Sequence, residues 1–165
     1  MIIKRTKFIT GIFVFVFLTN TAFAFSNLEL NEFLNKLDVA TNKRDLGIIA
    51  NALSERAEFN IELPTPNGKR DIKLNKEQYI SLLKQGWSVI GPSYKYNRVT
   101  EKIKNNSEYA QVISVVHEEF KTSDQLVKSK TLEITDITIE NGNLVIVKIV
   151  GQSYIHGEPI PEPSI

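Results

Sequence analysis

The chain of 165 residues has no cysteine, one methionine, one tryptophan and two histidines. Without thiols there is neither a disulfide framework nor a thiolate metal site. His117 and His156 lie far apart, and neither has an Asp or Glu at helical spacing, so the sequence offers no metal-ligand motif. No metal and no cofactor are expected. An excess of one charge is also missing, since 20 Lys+Arg stand against 19 Asp+Glu. That balance lacks the basic footprint of a nucleic-acid binder, and no such partner is expected. There is no G-x-S-x-G elbow and no glycine-rich phosphate loop.

One apolar run stands out, and it is at the N-terminus. Lys4, Arg5 and Lys7 precede Phe8 to Leu18, which is broken only by Thr10 and Gly11, and Ala22-Phe23-Ala24 has the A-x-A form of a cleavage site. Residues 1–24 therefore read as a secretory signal peptide. The run is short of the roughly 20 residues that span a bilayer, so no transmembrane anchor is expected after cleavage. The expected location is periplasmic or secreted. The remaining 141 residues carry 17 basic and 19 acidic side chains. A chain of that size buries about 68% of its unfolded surface, enough for a core without staples.

Ser26-Asn27-Leu28-Glu29 has the form of a capping box, and Leu30, Phe33, Leu34 and Leu37 follow at the spacing of one helix face. Asp45 is the expected N-cap of a second, short helix carrying Leu46, Ile49 and Leu53. Ala57 to Leu63 alternates as a half-buried strand, with Glu58 and Glu62 on its wet side. A turn at Pro64-Thr65-Pro66-Asn67-Gly68 leads to a short return strand through Ile72 and Leu74. Asn75-Lys76-Glu77-Gln78 is a second capping pattern, opening a helix with Tyr79, Leu82, Leu83 and Trp87 that ends before Gly91-Pro92.

From there the period becomes two. Tyr94 to Ile103, Tyr109 to Phe120, Leu126 to Ile139 and Leu144 to Tyr154 are expected strands, the last two joined by Asn141-Gly142, a strong hairpin signal. Four long strands joined by tight turns make an antiparallel meander whose curved face wraps the three helices. Residues 156–165 hold three prolines and no periodicity and read as a flexible tail, leaving residues 25–155 as the single domain.

This order (helix, helix, short hairpin, helix, four long strands) resembles the nuclear transport factor 2-like fold, the SnoaL-like or cystatin-like cone, over about residues 28–154. The segment Leu37-Asp38-Val39-Ala40…Asp45-Leu46…Leu53 and the closing hairpin from Leu132 to Ile149 carry the likeness in texture. The resemblance implies an α+β domain in which three helices pack on a strongly curved antiparallel sheet around an apolar pocket. It also implies that either enzymes or non-catalytic modules are possible, because ketosteroid isomerases, dehydratases, polyketide cyclases and epoxide hydrolases share the cone with binding and dimerising proteins. In the isomerases a carboxylate base works opposite a Tyr and a protonated Asp. Here the first helix has no Tyr, and its expected pocket-facing residues are Phe33, Leu34 and Leu37.

Candidate site residues are few. His117 and Glu119 share one face of a strand, the arrangement of a base with an orienting carboxylate, and serve an alternative reading as an isomerase, dehydratase or hydrolase. Phe33, Leu37, Tyr79, Trp87, Tyr94 and Tyr96 are candidate lining for a small apolar ligand. Lys95, Arg98, Lys102 and Lys104, with Glu101 interleaved, read as a solvated basic face. Both faces of the long strands carry apolar residues: Val112 and Val116 against Ile113 and Val115, and Ile149 against Val150. The face that does not meet the helices is expected to cover itself through a homodimer or an envelope protein partner. The sequence contains no obvious convergence of titratable groups. It therefore favours a non-catalytic binding or assembly module.

Overall fold

The computed structural model describes residues 26–65, 68–90, 92–106, 108–121 and 126–155. The expected signal segment, the expected tail and His156 lie outside the described residues. No helix among the described residues is long and apolar enough to cross a membrane.

Helix α1, Asn27–Lys43, starts where the sequence places it. Ser26 Oγ accepts from Glu29 N–H and Glu29 Oε2 accepts from Ser26 N–H, a reciprocal cap of the kind worth about 1 kcal/mol. Leu30, Leu34, Leu37 and Ala40 are its buried face. Arg44 closes it in the left-handed region at φ 57°. Asp45 then accepts from Ile48 N–H to cap α2, Leu46–Asn51. Leu53, expected on α2, instead begins strand β1, Leu53–Thr65, because Ala52 ends the short helix.

Strand β2, Gly68–Asn75, returns from β1 and ends on Asn75, whose side chain accepts from Gln78 N–H to open α3, Lys76–Val89. Strands β3 (Lys95–Asn105), β4 (Tyr109–Lys121), β5 (Leu126–Glu140) and β6 (Asn143–Ile155) form the meander. Asn141 at φ 51° and Gly142 at φ 78° turn β5 into β6, as the Asn-Gly pair requires.

The sheet order is β2-β1-β6-β5-β4-β3. One pairing differs from the all-antiparallel expectation: β1 lies parallel to β6, with Phe59 opposite Ile149. The first and last strands meet in space, a contact to which no local turn signal corresponds. The sheet is unclosed, with β2 and β3 as its edges, and it is curved. Register shifts between Leu53 and Glu58, Thr100 and Lys102, and Asp136 and Ile137 add to the bend, since an extra residue in one strand increases local twist.

Alternation divides the sheet into two faces. Phe59, Ala110, Val112, Ile137 and Ile149 point to the inner face and join Leu30, Leu34, Leu37 and Trp87 in the main core. Ile113, Leu132 and Tyr154, with Val115 and Ile134, form a second cluster on the outer face. Helix α1 runs along the β3 edge, tied by Asn105 to Asn27 near its start and by Asn42 to Tyr96 near its end. Helix α3 packs against β1 and β2, where Tyr79 stacks on Phe59 with ring centroids 3.9 Å apart.

Candidate functional site

The inner face is apolar at one end and polar at the other. Ala110, Val112 and Ile137 are fully buried under α1. Further along the same strands, the inner positions are Ser114, Val116, Glu118 and Phe120 on β4, and Glu133, Thr131, Ser129 and Val127 opposite them on β5. Phe120, Val127, Ser129 and Thr131 are only half-buried, so solvent reaches this end of the face.

Arg98 stands at the centre of the polar part. Its period-two position behind Tyr94 and Tyr96 turns it inward, although it read as one of four solvated basic residues. Its side chain is 7% exposed. Nε donates to Asp38 Oδ1 at 2.9 Å, Nη1 to Glu133 Oε1 at 2.6 Å, and Nη2 to Tyr96 Oη at 2.7 Å. Thr135 Oγ1 donates to the same Glu133 oxygen at 2.8 Å. The guanidinium fork suits this planar, multi-partner arrangement. Burial opposes the charge of Arg98, but Glu133, Tyr96 and Asp38 together outweigh it and hold the pKa above its ordinary value. Burial also raises the Asp38 carboxyl; Arg98 pulls it down and Glu133 pushes it further up.

The tyrosines surround this centre. Tyr94 Oη donates to Glu118 Oε1 at 2.6 Å, while Ser129 Oγ makes a longer 3.4 Å bond to Glu118 Oε2. Trp87 tilts against Tyr94 with centroids 6.4 Å apart. Burial, and then Glu118, raise the Tyr94 phenol; burial, and then Glu133, raise Tyr96. Tyr79, on α3, is raised by burial and then by the charges of Glu133 and Glu118. No hydrogen bond to the Tyr79 hydroxyl occurs among the described residues. Ser114 is fully buried on β4, in register with Glu133, and its Oγ has no partner.

Of the six expected ligand-lining residues, Tyr79, Tyr94, Tyr96 and Trp87 come together around this polar interior. Phe33 and Leu37 do not; they line a separate groove between α1, α2 and the β5–β6 turn, with Ile48, Leu53 and Leu144. His117 and Glu119 lie on the outer face, in register with Lys130 and Lys128. There Lys128 and Lys95 reach Glu119 at 3.3 and 3.7 Å. The pair does not point into the cone.

The expectation that no titratable groups converge is thus overturned: Asp38, Arg98 and Glu133 meet inside, with Glu118 four residues from Ser114 on the same face of β4. Three signals in the sequence lead to them. Asp38 is eight residues from Leu30 and four from Leu34, on the same helix stripe; Arg98 alternates with Tyr94 and Tyr96; Glu133 alternates with Thr135 and Ile137. Among the described residues no three His, Asp or Glu side chains are placed to hold a metal ion.

No protein-family model matches the sequence, and no curated protein matches it. Solved structures do. The chain is similar to a conserved protein from Planctomyces limnophilus DSM 3776, with 12% identity over 78% of this chain and 95% of that one and a TM-score of 0.67. It is similar to hexachlorocyclohexane dehydrochlorinase LinA-type3 from Novosphingobium barchaimii LL02, with 13% identity over 82% and 94% and a TM-score of 0.61. A third is a protein of Cytophaga hutchinsonii ATCC 33406, described as nuclear transport factor 2-like, with 13% identity over 79% and 100% and a TM-score of 0.59. At such identities the likeness is one of fold.

Proposed function

We propose that this chain, which has the nuclear transport factor 2-like fold, is an exported binding module that holds a small organic ligand in the polar end of its cone. The observation that carries the reading is the Tyr79 hydroxyl. It stands on α3, within reach of the charges of Glu133 and Glu118, with no hydrogen-bond partner among the described residues. Tyr79 is half-buried, so solvent reaches its hydroxyl, and a polar ligand group would take the place of that water. The aromatic rings supply apolar area for the body of a ligand, and the carboxylates and Arg98 orient its polar end. Export rests on the signal-like residues 1–24.

Native mass spectrometry of the protein exported with its own signal and purified without detergent tests this. The expected result is a mature chain beginning at Phe25 that carries extra mass lost on activation. A bare mature mass, together with no thermal stabilisation by any member of a metabolite collection, overturns the reading.

A second reading, as an enzyme, is favoured by Asp38. A carboxyl raised by burial inside an aromatic site is a proton acceptor suited to near-neutral chemistry. The similar solved structures include a dehydrochlorinase, and an elimination needs such an acceptor. It ranks second because Arg98 already occupies Asp38 Oδ1.

A further inference from the structure

We propose that Asn141 is a site of spontaneous deamidation and that the side chain of Asn143 promotes it. Asn141 and Gly142 are both exposed and make the two-residue turn between β5 and β6, at φ 51° and φ 78°. Glu140 and Asn143 pair across its base. A Cβ built on Gly142 would meet nothing within 4 Å, so the space beside this residue is open. Among the described residues no hydrogen bond engages the Gly142 N–H. The Asn141 side chain therefore has, next to it in the chain, a backbone nitrogen that neither a side chain nor the ladder shields.

The reaction needs only water. Loss of the Gly142 amide proton to hydroxide leaves a negative charge shared between that nitrogen and the Asn141 main-chain oxygen. The nitrogen then attacks Asn141 Cγ: the new N–Cγ bond closes an imide ring, the Cγ–Nδ2 bond breaks, and ammonia leaves. Water reopens the ring at either carbonyl carbon. Opening at Cγ gives aspartate, and opening at the main-chain carbon gives an isoaspartyl linkage. Water is consumed and ammonia released, with no change of oxidation state. Asn143 acts on the first step. Its Nδ2 donates to Asn141 O at 3.3 Å, the oxygen on which the charge appears. A hydrogen bond to a charged acceptor is about twice as strong as one to a neutral acceptor, so this bond strengthens as the nucleophile forms.

The products alter the molecule in two ways. The turn lines the groove of Phe33 and Leu37, which Glu29, Glu55 and Glu140 already reach. A carboxylate at position 141 adds a further negative charge there, next in sequence to Glu140. The isoaspartyl linkage also lengthens the main chain by one carbon inside a turn whose two residues hold Glu140 opposite Asn143. Loop length sets hairpin register, so the isoaspartyl form is the less stable of the two products.

Peptide mass spectrometry of the purified protein, held folded for weeks at mildly alkaline pH, tests this. Cleavage after lysine and arginine places Asn141 in the peptide of residues 131–148 and the other Asn-Gly pair, Asn67-Gly68, in that of residues 57–69. Each is thus read separately, and Asn67 is the internal reference. The expected result is that the Asn141 peptide gains the mass of an amide-to-acid conversion and separates into aspartyl and isoaspartyl forms. Asn143→Ala is expected to slow that gain about threefold, the effect of one ordinary hydrogen bond on a rate, and to leave Asn67 unchanged. Should Asn143→Ala fail to fold, Asn143→Asp has the same size and no donor, and it is expected to slow Asn141 at least as much. An Asn141 that stays an amide, an Asn141 that converts at the wild-type rate in the folded Asn143 variant, or an Asn67 slowed equally overturns the proposal.

Discussion

The side-chain amide of Asn42 clasps the backbone of Tyr96 from both sides: Oδ1 accepts from Tyr96 N–H at 2.9 Å, and Nδ2 donates to Tyr96 C=O at 2.8 Å. Strand β3 is an edge of the sheet, with unpaired backbone groups on its free side. Asn42 supplies those groups with a partner, as a neighbouring strand would, and so joins the end of α1 to the rim of the cone. Asn42→Ala is expected to cost about 1–3 kcal/mol, because the Tyr96 backbone loses both bonds. Asn42→Asp keeps the acceptor but sets a carboxylate oxygen against the Asp38 and Tyr96 carbonyls in the last turn of α1, and its loss should be at least as large. Urea denaturation of the three proteins checks the order.

Arg98 predicts a larger effect with a distinctive rescue. Arg98→Met leaves Asp38 and Glu133 facing each other without a cation and is expected to cost about 3–5 kcal/mol, the range for breaking a buried ion pair from one side. Replacing all three residues together, as Asp38→Leu, Arg98→Met and Glu133→Met, removes the uncompensated charge. That triple variant should recover most of the stability in the same denaturation experiment. If the triple variant is no more stable than Arg98→Met, the ion network is not the source of the loss.

Asp38 also gives the fold a pH signature. Its carboxyl titrates above the ordinary value because burial disfavours the charge. The native state therefore takes up this proton before the unfolded chain does, and the contribution of Asp38 to stability grows as pH falls through its folded pKa. It is fully present below the unfolded value and lost as pH rises. Glu29 and Glu119 act in the opposite sense, since the Ser26 backbone and Lys128 lower their pKa values. Melting temperature measured from pH 7 down to 4 should show a smaller gain, or a steeper loss, in Asp38→Asn than in the wild type. Parallel curves would contradict the raised Asp38.

The outer face carries the apolar strip on which the expected dimer is tested. Ile113, Val115, Leu132 and Ile134 form its apolar strip, Val150 beside Ile134 is 37% exposed, and Val99 beside Val115 is 43% exposed. A groove of about 450 Å³ runs between this strip and the β1–β2 hairpin, from Leu132 and Val150 to Lys73. Exposed apolar area of this kind marks an interface, and a two-fold pairing of the strip with itself would cover it. Sedimentation at micromolar concentration is expected to show a dimer, and Val150→Lys a monomer with an unchanged melting temperature. A monomeric wild type removes the assembly reading.

What the sequence determined by itself was local. Both capping boxes, the Asp45 cap, the Asn141-Gly142 turn and the period-two strands depend on contacts within a few residues, and each reads directly from spacing. The element order was enough to place the fold. The inner set was not readable as a set, because its members are far apart in the chain: Arg98 is 60 residues from Asp38 and 35 from Glu133. Period two shows which residues share a face, but not which face turns toward the helices. For that reason Arg98 read as solvated while His117 stayed a candidate for the interior. The parallel pairing of β1 with β6 decided it. That contact brings the first strand beside the last, curls the sheet around α1 and α3, and makes one face the inside of a cone. Burial then acts on the groups it encloses, raising Asp38 and the three inner tyrosines, and only the folded chain has that inside.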